Sequence, residues 1–296
     1  MVPPVERAES GSRRDRSGGG CGWRAIGERW ETDAVTSHPI ATSIDDPLFD
    51  EIVGWVANAE RITVLTGAGI STGSGVPDFR GPNGLWTLNP GAERASHVRY
   101  YLEDEEARRA GWRAALDRRM GNITPNVGHL ALVELERRGK LLGLATQNVD
   151  GLHIAAGNSP EVVHELHGTW RFSRCFGCGD RRPVEETVER VAAGDHDPRC
   201  LLCGGVMKRD VVLFGEPLDE ETIGAAMVAS EACDLFLAIG TSLGVTPAAN
   251  TIARAKAAGA RTVIINGQPT ERDQYASASL RGDISELLPT LVFRAT

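Results

Sequence analysis

The sequence has no long apolar run, no cationic excess and no disulfide framework. No stretch approaches the roughly 18 consecutive apolar residues that a membrane-crossing helix needs. The first residues carry no apolar segment of the secretory type. A soluble, intracellular and cytoplasmic protein is the expectation. Lys and Arg number 32 against 40 Asp and Glu, a net charge of −8, which argues against nonspecific binding to nucleic acid. No internal repeat is visible. Four of the six cysteines stand in metal-ligand spacing, which fits a reducing compartment. What remains is 296 residues with 41% hydrophobic content, enough for one large domain or two modest ones.

The chain is organised around residues 62–80. Ile62 to Thr66 is a short β-branched and apolar run that suits a buried parallel strand. Gly67, Ala68 and Gly69 then turn the chain, and small residues there let a ligand approach the backbone. A helix is predicted to open near Ser71, with its free N–H groups facing the turn. The dinucleotide fingerprint G-x-G-x-x-G is imperfect, because its third glycine falls on Thr72 and Gly73 comes one residue late. Asp78, Phe79 and Arg80 follow Pro77. Arg80 suits a phosphate, Phe79 a ring or apolar arm, and Asp78 a polar group. A surface loop with a local salt bridge fits those three residues equally well.

Residues 1–42 are rich in Gly, Ser and Arg without periodicity, and read as a disordered extension. Residues 45–59 form an amphipathic helix capped by Asp45 or Asp46. Residues 93–120 are charged and mostly helical, with Trp112 and Leu116 inward. A further helix opens at Pro125 and contains His129, read as a structural histidine. A second strand over 141–146 ends at Gln147-Asn148-Val149-Asp150-Gly151-Leu152-His153. Polar residues massed at the C-terminal end of a parallel strand mark where open α/β sheets bind ligands. A third strand over 162–166 ends at His167-Gly168. His167 is a candidate general base, although taken alone a hydrogen-bonded structural histidine is the stronger reading. Strand alternation puts the competing His164 on the opposite face.

Cys175-x-x-Cys178 and Cys200-x-x-Cys203 are two knuckles separated by residues 179–199. They predict a closed tetrahedral zinc site of four thiolates, structural because no position is left for water. Residues 184–193 between them suit a short helix. Val211 to Glu216 is an apolar run ending in Gly-Glu, either an edge strand open to an extended peptide or an ordinary core strand. Next come a helix over 220–231, a strand over 235–239 ending in Gly240-Thr241-Ser242, a helix from about 247 to 258, and a strand over 262–265 ending in Asn266. Asn266 stands where a dinucleotide fold makes its ribose contact, without the usual acidic residue. Gly282 and Asp283 precede a final helix through 288. Strands alternating with helices predict an α/β fold, a Rossmann-like parallel sheet with helices on both faces and a small zinc-ribbon domain inserted.

From about residue 46 to 293 the sequence resembles the sirtuins, NAD-dependent protein lysine deacylases, in their bacterial form. The resemblance rests on Gly67-Ala-Gly-Ile-Ser71, Pro77-Asp-Phe-Arg80, Gln147-Asn-Val-Asp150, His167-Gly168, both cysteine pairs, Phe214-Gly-Glu216, Gly240-Thr-Ser242 and Asn266. It implies an NAD-binding domain over 43–170 and 207–296, with a helical insertion at 82–124 and a zinc module at 171–206. His167 is implied as the base that works through the ribose hydroxyls, and Asn148 as its catalytic companion. Asn148 and Asp150 hold the nicotinamide ribose and carboxamide, and Gln147 contacts the ribose. Gly67, Ala68, Gly69, Ser71, Asp78, Arg80, Gly240, Thr241 and Ser242 line the cofactor. Asn266 and Asp283 complete that set, and Phe79 shields the anomeric carbon. Val212 and Phe214 line the acyl-lysine tunnel, while Gly215 and Glu216 pair with substrate backbone. The implied partners are acyl-lysine proteins, and the implied groups are NAD and one structural zinc ion. The implied products are nicotinamide, free lysine and O-acyl-ADP-ribose.

Arg209 replaces the proline many sirtuins carry before the apolar run. The segment after Trp86 lacks the Tyr and Arg with which desuccinylase-type members hold acidic acyl groups, which disfavours succinyl or malonyl substrates. Residues 81–87 are similar to a subclass found among nuclear members, some of which prefer long acyl chains. Mono-ADP-ribosyl transfer to protein is an alternative that uses the same NAD cleavage. A silent zinc-ribbon binding module is a second, against which the net charge and the intact His167, Asn148 and Asp150 both argue.

Overall fold

The computed structural model describes residues 38–81, 84–88, 93, 96–119 and 123–295. The extension expected over 1–42 lies outside the described residues as far as 37. Its last part does not fit the expectation, because Ile40–Ala41 (β1) is a strand of the main sheet. Two residues are too few to show a period. What holds them is backbone pairing, with Ser279 N–H donating to Pro39 O and Arg281 N–H to Ala41 O.

The main sheet contains β1, β2 (Ile62–Thr66), β3 (Leu141–Thr146), β4 (Val163–Glu165), β8 (Leu235–Ile239), β9 (Arg261–Ile265) and β10 (Ala278–Leu280). Every pairing is parallel, in the order β1-β10-β9-β8-β2-β3-β4. With β1 set aside, the strands run 3-2-1-4-5-6 by order of appearance, the dinucleotide-binding arrangement. The order reverses between β2 and β8, so their C-terminal ends open the crevice where such sheets bind ligands.

Side-chain alternation builds two apolar layers from the same strands. Ile62, Val64, Leu235, Leu237, Val263 and Ile265 face one side, against Phe49, Ile52 and Val56 of α1 (Pro47–Asn58), Leu132 and Leu135 of α5 (Val127–Arg137), and Leu287 and Leu291 of α10 (Ile284–Arg294). Leu65, Phe236, Ala238 and Ile264 face the other side, against Ala226 of α8 (Glu220–Ala232) and Ile252 and Ala255 of α9 (Asn250–Ala257). Asp46 caps α1 through Leu48 N–H at 2.9 Å. Helix α10 runs past the expected end at 288 although Pro289 lies inside it. Burial of Leu291 and Val292 outweighs the one helical N–H that proline lacks. Helix α9 starts three residues later than the sequence suggests, after a turn around Pro247.

A second sheet has the order β6-β5-β7, with β5 (Gly168–Cys175), β6 (Arg181–Pro183) and β7 (Met207–Val211) antiparallel. It begins at Gly168 and ends at Val211, wider than the expected module at 171–206. Helix α7 (Val184–Ala192) lies on it, and α2 (Leu85–Leu88), α3 (Val98–Glu103) and α4 (Glu105–Arg119) form the helical segment before α5. Trp112 of α4 is buried with Val188, Val191 and Met207. Arg108 meets Asp197 with two bonds of 2.8 and 2.9 Å, both side chains nearly buried. The helical segment and the second sheet therefore share one core.

Candidate active site

The first turn of the site is built by glycines in mutual contact. Gly67 N–H donates to Ile239 O at 3.0 Å and Gly69 N–H to Gly240 O at 2.9 Å, which joins the loops after β2 and β8. A Cβ on Gly67 would lie 2.7 Å from Gly240 O, and one on Gly69 2.7 Å from Gly240 Cα. Gly240 itself has φ 63. The backbones approach this closely only without side chains. The helix expected to open at Ser71 is instead a 3₁₀ helix over Ala68–Ser74, ended by Gly75 in the left-handed region. Small, weakly helix-forming residues and the Thr72 hydroxyl on Gly69 O, at 2.9 Å, favour the tighter turn. Gly73, the late glycine of the fingerprint, has a packing role. A Cβ there would lie 2.8 Å from Ser285 Oγ and 3.2 Å from Asn126 Nδ2.

Ser71 is the centre of a buried polar chain. Its Oγ donates to Asp150 Oδ2 at 2.8 Å and accepts from Asn148 Nδ2 at 3.2 Å. Asn148 Nδ2 also donates to Gly67 O at 3.1 Å. His129 completes the chain from below. Its Nδ1 accepts Asn126 N–H at 3.3 Å, so its Nε2 carries the hydrogen and faces Ser71 Oγ at 3.5 Å. Burial holds the His129 pKa below the ordinary histidine value, with Asp150 opposing. His153 packs on His129 with ring centroids 4.9 Å apart and bonds Thr66 Oγ1 at 3.0 Å. Burial first, then His129, lowers its pKa to about 3. Both imidazoles are neutral near pH 7.

His167 stands where β4 hands over to β5. Its Nδ1 lies 3.0 Å from Gln147 O. A carbonyl only accepts, so the neutral ring carries its hydrogen on Nδ1 and leaves Nε2 as a base. Burial lowers the His167 pKa, and the bond to Gln147 raises it in part. Gly168 follows with φ 76, and a Cβ there would lie 2.1 Å from Asp210 O. His167 O accepts Val212 N–H at 2.9 Å. Gln147 Nε2 reaches across the switch point to Thr241 Oγ1 at 2.8 Å. The competing His164 lies on β4, paired with Ala145, near Gly143.

An aromatic wall forms around Trp86 and Phe214. Phe79 and Trp86 have centroids 4.7 Å apart, Trp86 and Phe214 5.5 Å, and Phe214 and His97 5.1 Å. Arg80 lies 4.8 Å above the Trp86 ring. Neither Trp86 nor His97 stands in a periodic run, so nothing in the sequence marks them, and His129, structural by its place in a helix, gains its link to Ser71 only in the fold. Phe214 N–H donates to Ser96 O and Phe214 O accepts Val98 N–H, at 2.9 and 3.0 Å. The run 211–216 is thus neither a core strand nor an open edge at Phe214.

Several candidate residues are engaged within their own loops. Asp78 Oδ1 accepts Gly81 N–H at 2.9 Å. Asn266 Nδ2 donates to Gln268 O at 2.7 Å, and Asp283 Oδ1 caps α10 through Ser285 N–H at 2.8 Å. Glu216 N–H donates to Leu213 O at 3.0 Å, and its carboxylate meets Lys208. The expected pairing of Glu216 with substrate backbone is therefore not available through that N–H. Ser242 O accepts Glu271 N–H at 3.0 Å.

The four module cysteines converge. All four Sγ atoms lie within 4.8 Å of one another, with Cys175–Cys203 at 3.5 Å and Cys178–Cys200 at 3.7 Å. A tetrahedral zinc with bonds of about 2.3 Å requires sulfurs about 3.8 Å apart, so the set fits that ion. Backbone N–H groups of Gly177, Leu202 and Gly205 point at sulfurs from 3.2 to 3.4 Å, as thiolate ligands require.

Comparison with known proteins agrees with this geometry. Residues 67–247 match the model of the Sir2 family. The chain is 47% identical over 231 residues to NAD-dependent protein deacetylase 2 of Streptomyces coelicolor, covering 78% of this chain and 96% of that protein. A Sir2 homolog in complex with NAD has a TM-score of 0.74 and 34% identity, covering 87% of this chain and 96% of its own. A Sir2 protein with a deacetylated p53 peptide and 3'-O-acetyl ADP ribose has a TM-score of 0.74 and 30% identity, over 81% and 95% of the two chains. With its sheet order, its four-cysteine cluster and these relatives, the chain belongs to the Sir2 family.

Proposed function

We propose that the chain is an NAD-dependent protein lysine deacetylase. It transfers the acyl group of a modified lysine to ADP-ribose and releases nicotinamide, free lysine and O-acyl-ADP-ribose. The carrying observation is a neutral His167, its Nε2 left as a base by the bond to Gln147 O, with Gln147 leading directly into the Asn148–Ser71–Asp150 chain. The named activity of the Streptomyces coelicolor relative supports the same reading.

When bound, NAD supplies the ADP-ribose acceptor, with nicotinamide as leaving group. Gly67, Ala68, Gly69, Gly240, Thr241 and Ser242 would hold its phosphates and adenosine, with charge from Arg80. Asn266 and Asp283 would hold the adenosine end, with Asp78 shaping the loop beside Phe79. Asn148, Asp150 and Gln147 would hold the nicotinamide half, the first two kept in place by Ser71. Asn148 is oriented by Gly67 O as well, so its amide has one rotamer and one direction. His167 Nε2 takes a proton from a hydroxyl, which its lowered pKa permits at neutral pH. The acyl-lysine would pass Val212 and Phe214, with Trp86 and Phe79 excluding water and Gly215 beside the peptide. A zinc ion held by the four thiolates would have no open position and would shape the module without entering the chemistry. No helix among the described residues is long and apolar enough to cross a membrane. A four-thiolate metal cluster fits a reducing compartment, which supports a cytoplasmic location.

The test is mass spectrometry of acetyl-, propionyl-, succinyl- and long-chain acyl-lysine peptides incubated with NAD. Acetyl loss with matching O-acetyl-ADP-ribose is the expected result. His167→Ala lowers that turnover by about 10²- to 10⁴-fold, the usual worth of a general base, and near-normal turnover by the variant removes His167 from this role. Nicotinamide release with label appearing on protein, and no acyl loss, moves the activity to ADP-ribosyl transfer.

A further inference from the structure

We infer that Lys208 and Glu216 form a buried positioning pair that sets where the acyl-lysine strand lies relative to His167. This rests on the deacetylase reading, adds Lys208 to its substrate site and gives Glu216 a role there through its carboxylate, neither side chain needing to touch the reacting atoms.

Lys208 lies on β7 and is 6% exposed. A lysine this buried requires partners for its charge. Its Nζ donates to Glu216 Oε2 and to Val211 O, both at 2.6 Å, and lies 5.0 Å from the Phe176 ring. The same Oε2 accepts Leu213 N–H at 2.8 Å, and Glu216 N–H donates back to Leu213 O at 3.0 Å. One carboxylate oxygen thus receives donors from two separate points of the chain. The segment 211–216 is closed into one shape by four hydrogen bonds.

Two contacts carry that shape into the site. Val212 N–H, inside the closed segment, donates to His167 O at 2.9 Å. The Phe214 ring, two residues on, packs on Trp86 and His97. Gly215 turns the segment with φ 91, and a Cβ there would lie 3.1 Å from Val98 Cγ1. The pair, the base and the aromatic wall are therefore linked through six residues of chain. Buried ion pairs add little net stability compared with apolar pairs of similar size. What this one contributes is a single geometry for the segment beside which the peptide lies. Among the described residues, the glycine turns and the polar chain around Ser71 share no hydrogen bond with Lys208 or Glu216, so the pair reaches the cofactor half only indirectly, through His167 and Trp86.

The experiment is steady-state kinetics of the full chain, with acetyl-lysine peptide and NAD varied separately. The variants are Glu216→Gln, Lys208→Met and the double Lys208→Met/Glu216→Leu. Each single substitution is expected to raise the peptide KM about tenfold or more, with the NAD KM within about twofold. The double variant removes both charges, so its melting temperature should return close to wild type. Its peptide KM should stay raised, because Leu213 N–H has lost its acceptor. If the double variant restores the peptide KM along with stability, the pair is merely structural and the inference falls. It falls equally if peptide and NAD KM rise together, or if folded variants keep the wild-type peptide KM. Should the singles not fold, the double variant decides. Peptide binding measured by calorimetry reads the same comparison without turnover. An inactive wild type would overturn the deacetylase reading, and the calorimetric comparison would still decide the pair.

Discussion

In the seven-stranded sheet β2 and β8 are buried along their whole length, whereas β5 of the three-stranded sheet mixes buried, half-buried and exposed residues. The large sheet has helices on both faces and two apolar layers to bury. The small one has a single core of Trp112, Ala115, Val188, Val191 and Met207, with Cys175 and Cys200 inside it. A module that small buries too little apolar surface to hold itself, and metal ligation supplies the difference. The two regions meet at His167 and Gly168, where one sheet ends and the other begins. The geometry at His167 therefore depends on a seam between an apolar body and a metal-held one.

The comparison can be broken most forcefully at the metal. Zinc binding contributes on the order of 10 kcal/mol to small metal-folded modules. Cys175→Ser should therefore lose zinc and abolish amide-exchange protection across β5, β6 and β7, while β2, β3 and β8 keep theirs. Hydrogen exchange by mass spectrometry resolves the two regions. Simultaneous loss in both sheets would show that they form one cooperative unit.

A smaller effect sharpens the other side. His153 titrates at about 3 in the folded chain, against about 6.5 when unfolded. Between those values the unfolded chain binds the extra proton, so stability is complete above about pH 6.5 and is lost as pH falls toward 3. The loss amounts to a few kcal/mol in order of magnitude. His153→Gln should flatten the acid dependence of exchange in β2 and β3. An unchanged pH dependence would remove His153 as its source.

The smallest effect concerns the support of Ser71. Asn126 caps α5 through Gly128 N–H at 2.8 Å and donates to Ile70 O at 2.8 Å. Asn126→Ala should cost about 1–2 kcal/mol, the worth of a cap. The melting temperature should drop while zinc content stays unchanged, and zinc loss on this substitution would contradict the separation of the two regions.

Strands β2, β3, β8 and β9 were legible because each is a short apolar run bounded by glycine or polar residues, whereas β10, with only Ala278, Ser279 and Leu280, is too short to show a period. The cysteine spacing likewise announced its own cluster. The N-terminal edge strand was not legible, since Ile40 and Ala41 are held by backbone pairing to residues more than 200 positions away. The helix after Gly67 opens at Ala68 rather than near Ser71 and is 3₁₀, because its geometry is set by contact with Gly240, a partner in another loop. Trp86 and His97 stayed silent for the same reason, acquiring a role only through Phe214.

The order of polar and glycine motifs along the chain determined the class of the protein, since residue type and spacing alone state which groups are available. Tertiary structure decided which nitrogen of His167 is left without a hydrogen, because Gln147 O selects the tautomer. It also decided that Glu216 faces Lys208. Hydrogen-bond partners are chosen by proximity in space, and the fold alone brings residues distant in sequence to 3 Å.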